Sequence, residues 1–254
     1  MAISIPARLF ALPRRPTRIV ERNLMVYRRT AMVIVSGFFE PLFYLFSMGF
    51  GVGALIGAVA LDNGLLVPYA AYVAPALLAS SSMNGAIYEA VVATPMSLAD
   101  IAVGEIIWAL MRGALFSIGF FIVVGLLGIA GTPLMTSWLG LLAFPASMLI
   151  GFAFAGAGLA ATTFVRRWQD FDYLQLALIP MFLFSGTFYP ISVYPVAVQL
   201  FVEVTPLYRG VHMLRELMTG TPDALLVVDV VYLFAVGLIG LWITSKRLAK
   251  LLIS

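Results

Sequence analysis

Six long apolar segments follow one another along the chain, and most of the charges lie between them or in the two terminal segments. They cover about Ala31 to Leu55, Val67 to Tyr88, Ile101 to Leu127, Trp138 to Phe164, Tyr173 to Phe184 and Leu225 to Thr244. A helix of about 20 apolar residues crosses the hydrocarbon core of a bilayer, whereas a soluble helix alternates its apolar face with a polar one. The pattern predicts an all-α, polytopic membrane protein with six transmembrane helices.

Residues 186–222, between the fifth and sixth spans, follow a different pattern. Pro190, Pro195 and Pro206 break this region too often for one membrane helix, yet it is too apolar for an ordinary solvated loop. Irregular backbone at membrane depth is tolerated where protein covers it. We therefore predict one or two short helices that lie in, or dip into, the outer leaflet.

The basic residues indicate which side each loop faces. Residues 1–30 hold seven of the fifteen basic residues, whereas the loops at 58–66 and 131–133 hold none. The N-terminal segment is either an amphipathic helix on the cytoplasmic surface or plain flanking charge, and both alternatives place it inside. The prediction is a single transmembrane domain over 1–254, with a cytosolic segment at 1–30, spans within 31–244 and a cytosolic tail at 245–254.

Composition agrees with this assignment and excludes several chemistries. The chain is 62% hydrophobic and 11% charged, far from the soluble average. It contains no cysteine, only one histidine and no phosphate-binding loop, and the sequence shows no His/Glu cluster for a metal and no Ser-His-Asp set. We predict no catalysis by this chain, no bound metal and no nucleic-acid partner, with His212 as a surface or packed side chain.

Five segments carry a resemblance to a known family. They are Phe39-Glu40-Pro41-Leu42-Phe43-Tyr44-Leu45, Ala74-Pro75-Ala76-Leu77-Leu78-Ala79, Ala93-Thr94-Pro95-Met96-Ser97-Leu98, Gly104-Glu105-Ile106-Ile107-Trp108-Ala109, and Pro180-Met181-Phe182-Leu183-Phe184-Ser185-Gly186-Thr187-Phe188-Tyr189-Pro190. In this order they resemble type-2 ATP-binding-cassette exporter permeases, nearest to the nodulation-factor exporter branch and related drug or glycolipid exporters. The resemblance covers nearly the whole chain.

The resemblance implies a half transporter in the cell inner membrane, with both termini cytoplasmic. It would pair with a second permease and with separate ATPase subunits, which would bind ATP and magnesium, while this chain binds no cofactor. The expected function is export of an amphipathic, lipid-linked or drug-like molecule from the cytoplasm or inner leaflet. The alternative is a stand-alone transporter or channel driven by an ion gradient, although such carriers often show internal repeats and none is convincing here.

Two sets of functional residues follow from these expectations. The substrate path or gate is predicted at Phe39, Glu40, Tyr44, Phe184, Phe188 and Tyr189, with the permease interface on spans 1 and 5. Contacts to the ATPase are predicted at Arg22, Arg28, Arg29, Thr94, Pro95, Arg166, Arg167 and Asp170. Glu40 either serves the path or bonds a neighbouring helix, and the aromatic residues form either a gate or an interfacial belt.

Three further expectations concern single places in the chain. Pro75 is expected to interrupt the second span. Asp229, near the outer end of span 6, is expected to be solvated in a vestibule. The connection after span 2 is shorter than in the family that the chain resembles, which indicates that residues are missing between Tyr88 and Val92. The other possibility is that the short connection is real.

Overall fold

The computed structural model describes residues 39, 41–92, 100–132, 134–165 and 170–253. Most of them are helical. The helices are α1 Pro41–Ile56, with a π-helical stretch at Leu45–Val52, α2 Tyr69–Val92, α3 Asp100–Ile129, α4 Ala143–Thr162, α5 Asp170–Phe184, α6 Val196–Glu203, α7 Pro206–Thr219 and α8 Leu225–Ile253. A 3₁₀ turn at Trp138–Leu142 leads into α4.

Three segments of these helices are long and apolar enough to cross a membrane. They are Ile106–Ile129 in α3, Trp138–Thr162 in α4 and Leu225–Arg247 in α8. The described parts of α1 and α5 are apolar but shorter. The chain is therefore a mostly helical, multi-pass membrane protein, and the count of six spans stays a prediction.

Helix α2 lies at the centre of the bundle, where α1, α3, α4 and α7 pack against it. Almost every side chain from Tyr69 to Ile87 is buried. Many of these residues are alanine or serine, which allow close approach of neighbouring helices. The hydroxyls of Ser80 and Ser82 donate to carbonyls of their own helix at 3.0 and 2.9 Å, so the buried serines are satisfied.

Helices α4 and α8 cross in close backbone contact at three glycines. A Cβ atom placed on Gly156 would lie 2.4 Å from the carbonyl oxygen of Gly237, and one on Gly240 would lie 2.3 Å from the carbonyl carbon of Gly156. No real Cβ tolerates such distances to backbone. The crossing therefore depends on the absence of side chains at these positions.

Apolar side chains cover the outer faces of the bundle. On α3 the exposed residues recur at helical spacing and include Ile107, Met111, Leu115, Ile118, Ile122 and Leu126. A continuous apolar stripe of this kind is what lipid or a partner helix covers.

Three features differ from the sequence-based predictions. Ala58–Ala60 and Leu66–Pro68 form a short antiparallel hairpin, where only a loop was expected. Helix α2 continues through Pro75, which was predicted to interrupt it, because the surrounding helices hold the backbone in place. It also runs without a break through Tyr88 to Val92, so the expectation of missing residues there was wrong.

The β-hairpin marks one end of the bundle, which we call the hairpin end. Helix α2 begins there, and the segment that follows α5 lies there too, because the Tyr72 hydroxyl donates to the carbonyl of Gly186 at 3.1 Å. The start of the 3₁₀ turn joins the end of α7 at the same level, where the amide of Thr136 donates to the carbonyl of Met218 at 3.0 Å. In the predicted topology this is the outer end.

Candidate functional site

Helices α6 and α7 form a re-entrant hairpin between α5 and α8. Thr205 caps α7 through its side chain and Pro206 occupies the first turn, so the turn between the two helices is well defined. Gly210, early in α7, packs against Ile150, whereas Gly220 after its end packs against Ser137. Helix α4 begins at the hairpin end, and Ile150 lies seven residues into it. The contact between Gly210 and Ile150 is therefore roughly 10 Å below that end, and the turn between α6 and α7 lies at least as deep in the bundle. Two short helices were among the possibilities that the sequence predicted.

Aromatic rings from α1, α5 and the segment after α5 make two neighbouring groups of contacts, whose residues alternate along the segment from Phe182 to Tyr189. The Phe182 ring lies 6.1 Å from Tyr44 and 5.5 Å from Phe188, between ring centroids. The Tyr194 ring lies 5.4 Å from both Phe184 and Tyr189, and the hydroxyls of Tyr194 and Tyr189 are hydrogen-bonded at 2.6 Å. We call these six residues the aromatic cluster.

The aromatic cluster contains four of the six residues predicted for the path or gate. A fifth, Phe39, lies a turn before it and stacks on Phe43 at 5.7 Å. Phe182 was missed, although it stands in the segment that carries the resemblance. Tyr44, Phe184 and Tyr189 are each about two-fifths exposed, so the cluster lies on an open face of the chain.

Arg215 on α7 joins three elements at the hairpin end. Its guanidinium lies 3.9 Å above the ring of Tyr72 on α2 and donates to the carbonyl of Gly186 at 2.6 Å and to that of Tyr72 at 3.3 Å. Gly186 has a φ of +70°, which a residue with a side chain rarely adopts. The segment that follows α5 is thereby fastened to α2 and α7.

Asp229 on α8 is fully buried and bonded to two residues of α7. It accepts from Arg209 at 3.2 Å and is bonded to Nδ1 of His212 at 2.7 Å. The expectation that Asp229 is solvated was therefore wrong. A charged side chain within a membrane helix is costly unless it is paired, and α7 supplies the partners.

His212 also faces two further carboxylates. Its Nε2 atom lies 3.5 Å from Oε1 of Glu216, and one ligand atom each of His212, Glu216 and Asp223 lie within 4.8 Å of one another. These residues line a cavity of about 120 Å³ at the hairpin end. The absence of a His/Glu cluster was thus a wrong prediction. The available signal was the spacing of four between His212 and Glu216, which places both on one helix face.

Burial changes the protonation of this group. Burial raises the pKa of Glu216 to about 7, because desolvation disfavours the carboxylate. Burial also opposes the charge on His212, but the hydrogen bond and the negative charge of Asp229 outweigh it and raise the pKa of the imidazole. Each of the two groups therefore holds its proton to a higher pH than the free side chain does.

Most of the predicted ATPase contacts lie outside the described residues, as does Glu40. This applies to Arg22, Arg28, Arg29, Thr94, Pro95, Arg166 and Arg167. Asp170 is described and opens α5 at the end opposite the hairpin end, where a carboxylate suits a helix N-terminus. At the same end Arg247 lies 3.7 Å from the ring of Phe164 and donates to the carbonyl of Thr163 at 3.4 Å.

Comparison with known proteins agrees with the fold and with the motifs. The model of the family described as ABC-2 type transporter matches residues 17–219. Nodulation protein J of Rhizobium leguminosarum bv. viciae is 32% identical over 222 residues, which are 80% of this chain and 82% of that protein. The protein of the same name from Rhizobium meliloti (strain 1021) is 29% identical over 220 residues, or 79% of this chain and 80% of the relative. The chain belongs to the ABC-2 type transporter family.

Proposed function

We propose that this chain is the transmembrane permease of an ATP-driven exporter, and that it moves an amphipathic, lipid-linked or drug-like molecule outward across the inner membrane. Separate ATPase subunits bind ATP and magnesium, because the chain itself has no phosphate-binding loop. Membership of the ABC-2 family and the relatives named for nodulation support this proposal. The chain is therefore one subunit of a larger assembly.

We further propose that two permeases pair through the open aromatic face of this chain. Phe43 on α1 is 66% exposed, and Tyr173 and Leu176 on α5 are exposed to about the same extent. Tyr44 and Phe182 bring α1 and α5 side by side, so the two exposed faces adjoin. A second permease that docks on this face encloses the aromatic cluster between the subunits, where it can line and close a substrate path.

Cysteine cross-linking tests this interface. A variant with Phe43→Cys and Phe184→Cys is expected to form covalent dimers in membranes on mild oxidation, because both positions lie on the proposed contact face. The matched control is Ile118→Cys with Ile122→Cys, two exposed positions on α3 that should remain monomeric. The measurement is non-reducing electrophoresis, and an equal dimer yield from both variants would contradict the interface.

The opposite end of the bundle is the proposed docking surface for the ATPase. The topology predicted from the sequence assigns Arg28, Arg29, Thr94, Pro95 and the segment from Arg166 to Asp170 to the cytosolic side, and Arg22 belongs to the same N-terminal segment. Conformational coupling requires contact between the ATPase and residues that continue into the spans. Asp170 meets this requirement, since α5 begins with it and ends at the aromatic cluster.

Charge removal at this surface is expected to uncouple transport from ATP hydrolysis. Replacing Arg166 and Arg167 with alanine should lower substrate-stimulated ATP hydrolysis by the co-purified complex several-fold and leave the amount of folded permease near that of the unaltered chain. The measurement is ATPase activity per mole of permease in lipid nanodiscs. If the amount of folded permease and the ATPase activity fall together, the two arginines support folding and not the contact with the ATPase, which would contradict the prediction.

One observation favours the alternative of an ion-driven transporter. Asp229, His212 and Glu216 form a group of ionisable residues of the kind that ion-coupled carriers use. The two functions separate in inverted vesicles. An exporter of the proposed kind stops when the ATPase carries a substitution in its phosphate-binding loop, whereas an ion-driven carrier continues as long as the gradient lasts.

A further inference from the structure

We propose that the cavity at the hairpin end binds one divalent transition-metal ion, such as Zn²⁺, through His212, Glu216 and Asp223. The three residues come from α7 and from the loop that leads into α8. Their ligand atoms lie within 4.8 Å of one another, a separation that one ion can bridge after small side-chain rotations. This site is independent of the proposed export function and of the aromatic cluster.

The first argument is the orientation of the His212 ring. Nδ1 is bonded to the fully buried carboxylate of Asp229, which Arg209 holds from its other side. This contact fixes the proton on Nδ1 and turns Nε2 toward Glu216. Metal-binding histidines commonly donate the N–H of their second ring nitrogen to a carboxylate in this way. The ring is thus positioned before any ion arrives.

The second argument is the poor pairing of Glu216. Nine-tenths of this residue is buried, yet its carboxylate contacts in the described part of the chain are long, at 3.5 Å to Nε2 of His212 and 3.5 Å to the amide of Asp223. A buried carboxylate is costly without a strong partner. An ion in the cavity supplies that partner.

The third argument is the charge around the cavity. Asp62, Glu216 and Asp223 line it, and Arg215 is the one arginine among the lining residues. Nε and Nη2 of Arg215 donate to the carbonyls of Tyr72 and Gly186 rather than to these carboxylates. With His212 neutral, as a metal ligand must be, three carboxylates face one arginine, and this balance favours a cation. A cavity of about 120 Å³ has room for one ion with a few waters.

The donor set decides the class of ion. One imidazole with two carboxylates suits Zn²⁺ and its first-row neighbours, whereas Mg²⁺ and Ca²⁺ prefer ligands that are all oxygen. Oδ1 of Asp223 already accepts from the amides of Leu225 and Leu226 at 2.6 and 3.2 Å, where it caps α8. An ion on the other oxygen would fasten the end of α7 to the start of α8.

The test is Zn²⁺ binding to the full chain in lipid nanodiscs. The protein should be purified without a histidine tag, so that His212 is its only imidazole, and stripped of metal with a chelator. Isothermal titration is expected to show one Zn²⁺ per chain, undiminished by a large excess of Mg²⁺. Co²⁺ in place of Zn²⁺ should give a visible absorption band from a nitrogen-containing site.

Three variants locate the ion. His212→Gln and Glu216→Gln should each weaken Zn²⁺ binding by at least about tenfold, the lower bound for losing even a residue that supports a ligand. Asp223→Asn should weaken it less, because Asp223 is exposed and water can replace its ligand oxygen. Glu203→Gln changes a carboxylate of α6 that is not part of the cavity lining and should bind Zn²⁺ like the unaltered chain.

Two results would overturn the proposal. One is the absence of saturable Zn²⁺ binding by the unaltered chain, and the other is equal affinity in the unaltered chain and in Glu216→Gln. If His212→Gln does not fold, Glu216→Gln and Asp223→Asn decide the question by themselves. Zn²⁺ should also raise the thermal midpoint of the unaltered chain but not that of Glu216→Gln, since a ligand stabilises only the state that binds it.

Discussion

Replacing Gly156 with alanine is expected to lower the free energy of unfolding by about 3 kcal/mol, the upper part of the range for overpacked cores. The new methyl group would lie 2.4 Å from the carbonyl oxygen of Gly237 and 3.0 Å from its carbonyl carbon. Both atoms are backbone, so no side chain can rotate away, and α4 and α8 must separate. Thermal unfolding in detergent, followed by far-ultraviolet circular dichroism, measures the loss.

Gly125 on α3 provides the matched control for this prediction. It lies in a membrane helix, is exposed, and has nothing within 4 Å of an added Cβ atom. Gly125→Ala should therefore leave the stability unchanged or raise it by up to about 1 kcal/mol, as expected for alanine in a helix. If both substitutions have the same effect, the α4–α8 contact does not depend on its glycines.

The helices were predictable from the sequence because their signal is local. The third span was predicted at Ile101 to Leu127, and α3 extends from Asp100 to Ile129. The sixth was predicted to begin at Leu225, where α8 begins. In each case a run of apolar residues bounded by polar or turn-forming residues decides the outcome, without reference to any other part of the chain.

The polar site was not predictable in the same way, because its contacts join residues that are distant along the chain. His212 meets Asp229 only because α7 runs back along α8, and the close approach of Gly156 to Gly237 depends on how α4 crosses α8. From the sequence alone, Asp229 has the appearance of a solvated residue near a helix end. Only the spacing of His212 and Glu216 on one helix face was visible beforehand.

The aromatic cluster falls between these two cases. Tyr44, Phe184, Phe188 and Tyr189 were all predicted from segments that resemble the family. The ring contacts that bring them together through Phe182 and Tyr194 were not predicted. The structure also adds a connection that the sequence did not indicate. Gly186, between Phe184 and Phe188, is held by Arg215 from α7, so the backbone of the aromatic cluster and the re-entrant hairpin are bonded directly.

This connection predicts a large effect at Arg215. Arg215→Ala removes the charged donor to the carbonyls of Gly186 and Tyr72, as well as the guanidinium above the Tyr72 ring. Hydrogen bonds from charged donors contribute roughly 1.5–3 kcal/mol each, so residues 185–190 should lose most of their attachment to α7. We expect transport to fall at least about tenfold, the equivalent of 1.4 kcal/mol of coupling. Hydrogen exchange of the amides in 185–190 should accelerate, while that of α8 stays the same.

Tyr72→Phe is the graded control for this prediction, because it deletes only the hydroxyl bond to Gly186 and keeps the ring, and its effect should be smaller. Arg215→Lys should resemble alanine, since an ammonium group cannot reach two carbonyls and stack on a ring at once. Unchanged exchange of 185–190 in Arg215→Ala would show that the aromatic cluster is positioned without α7.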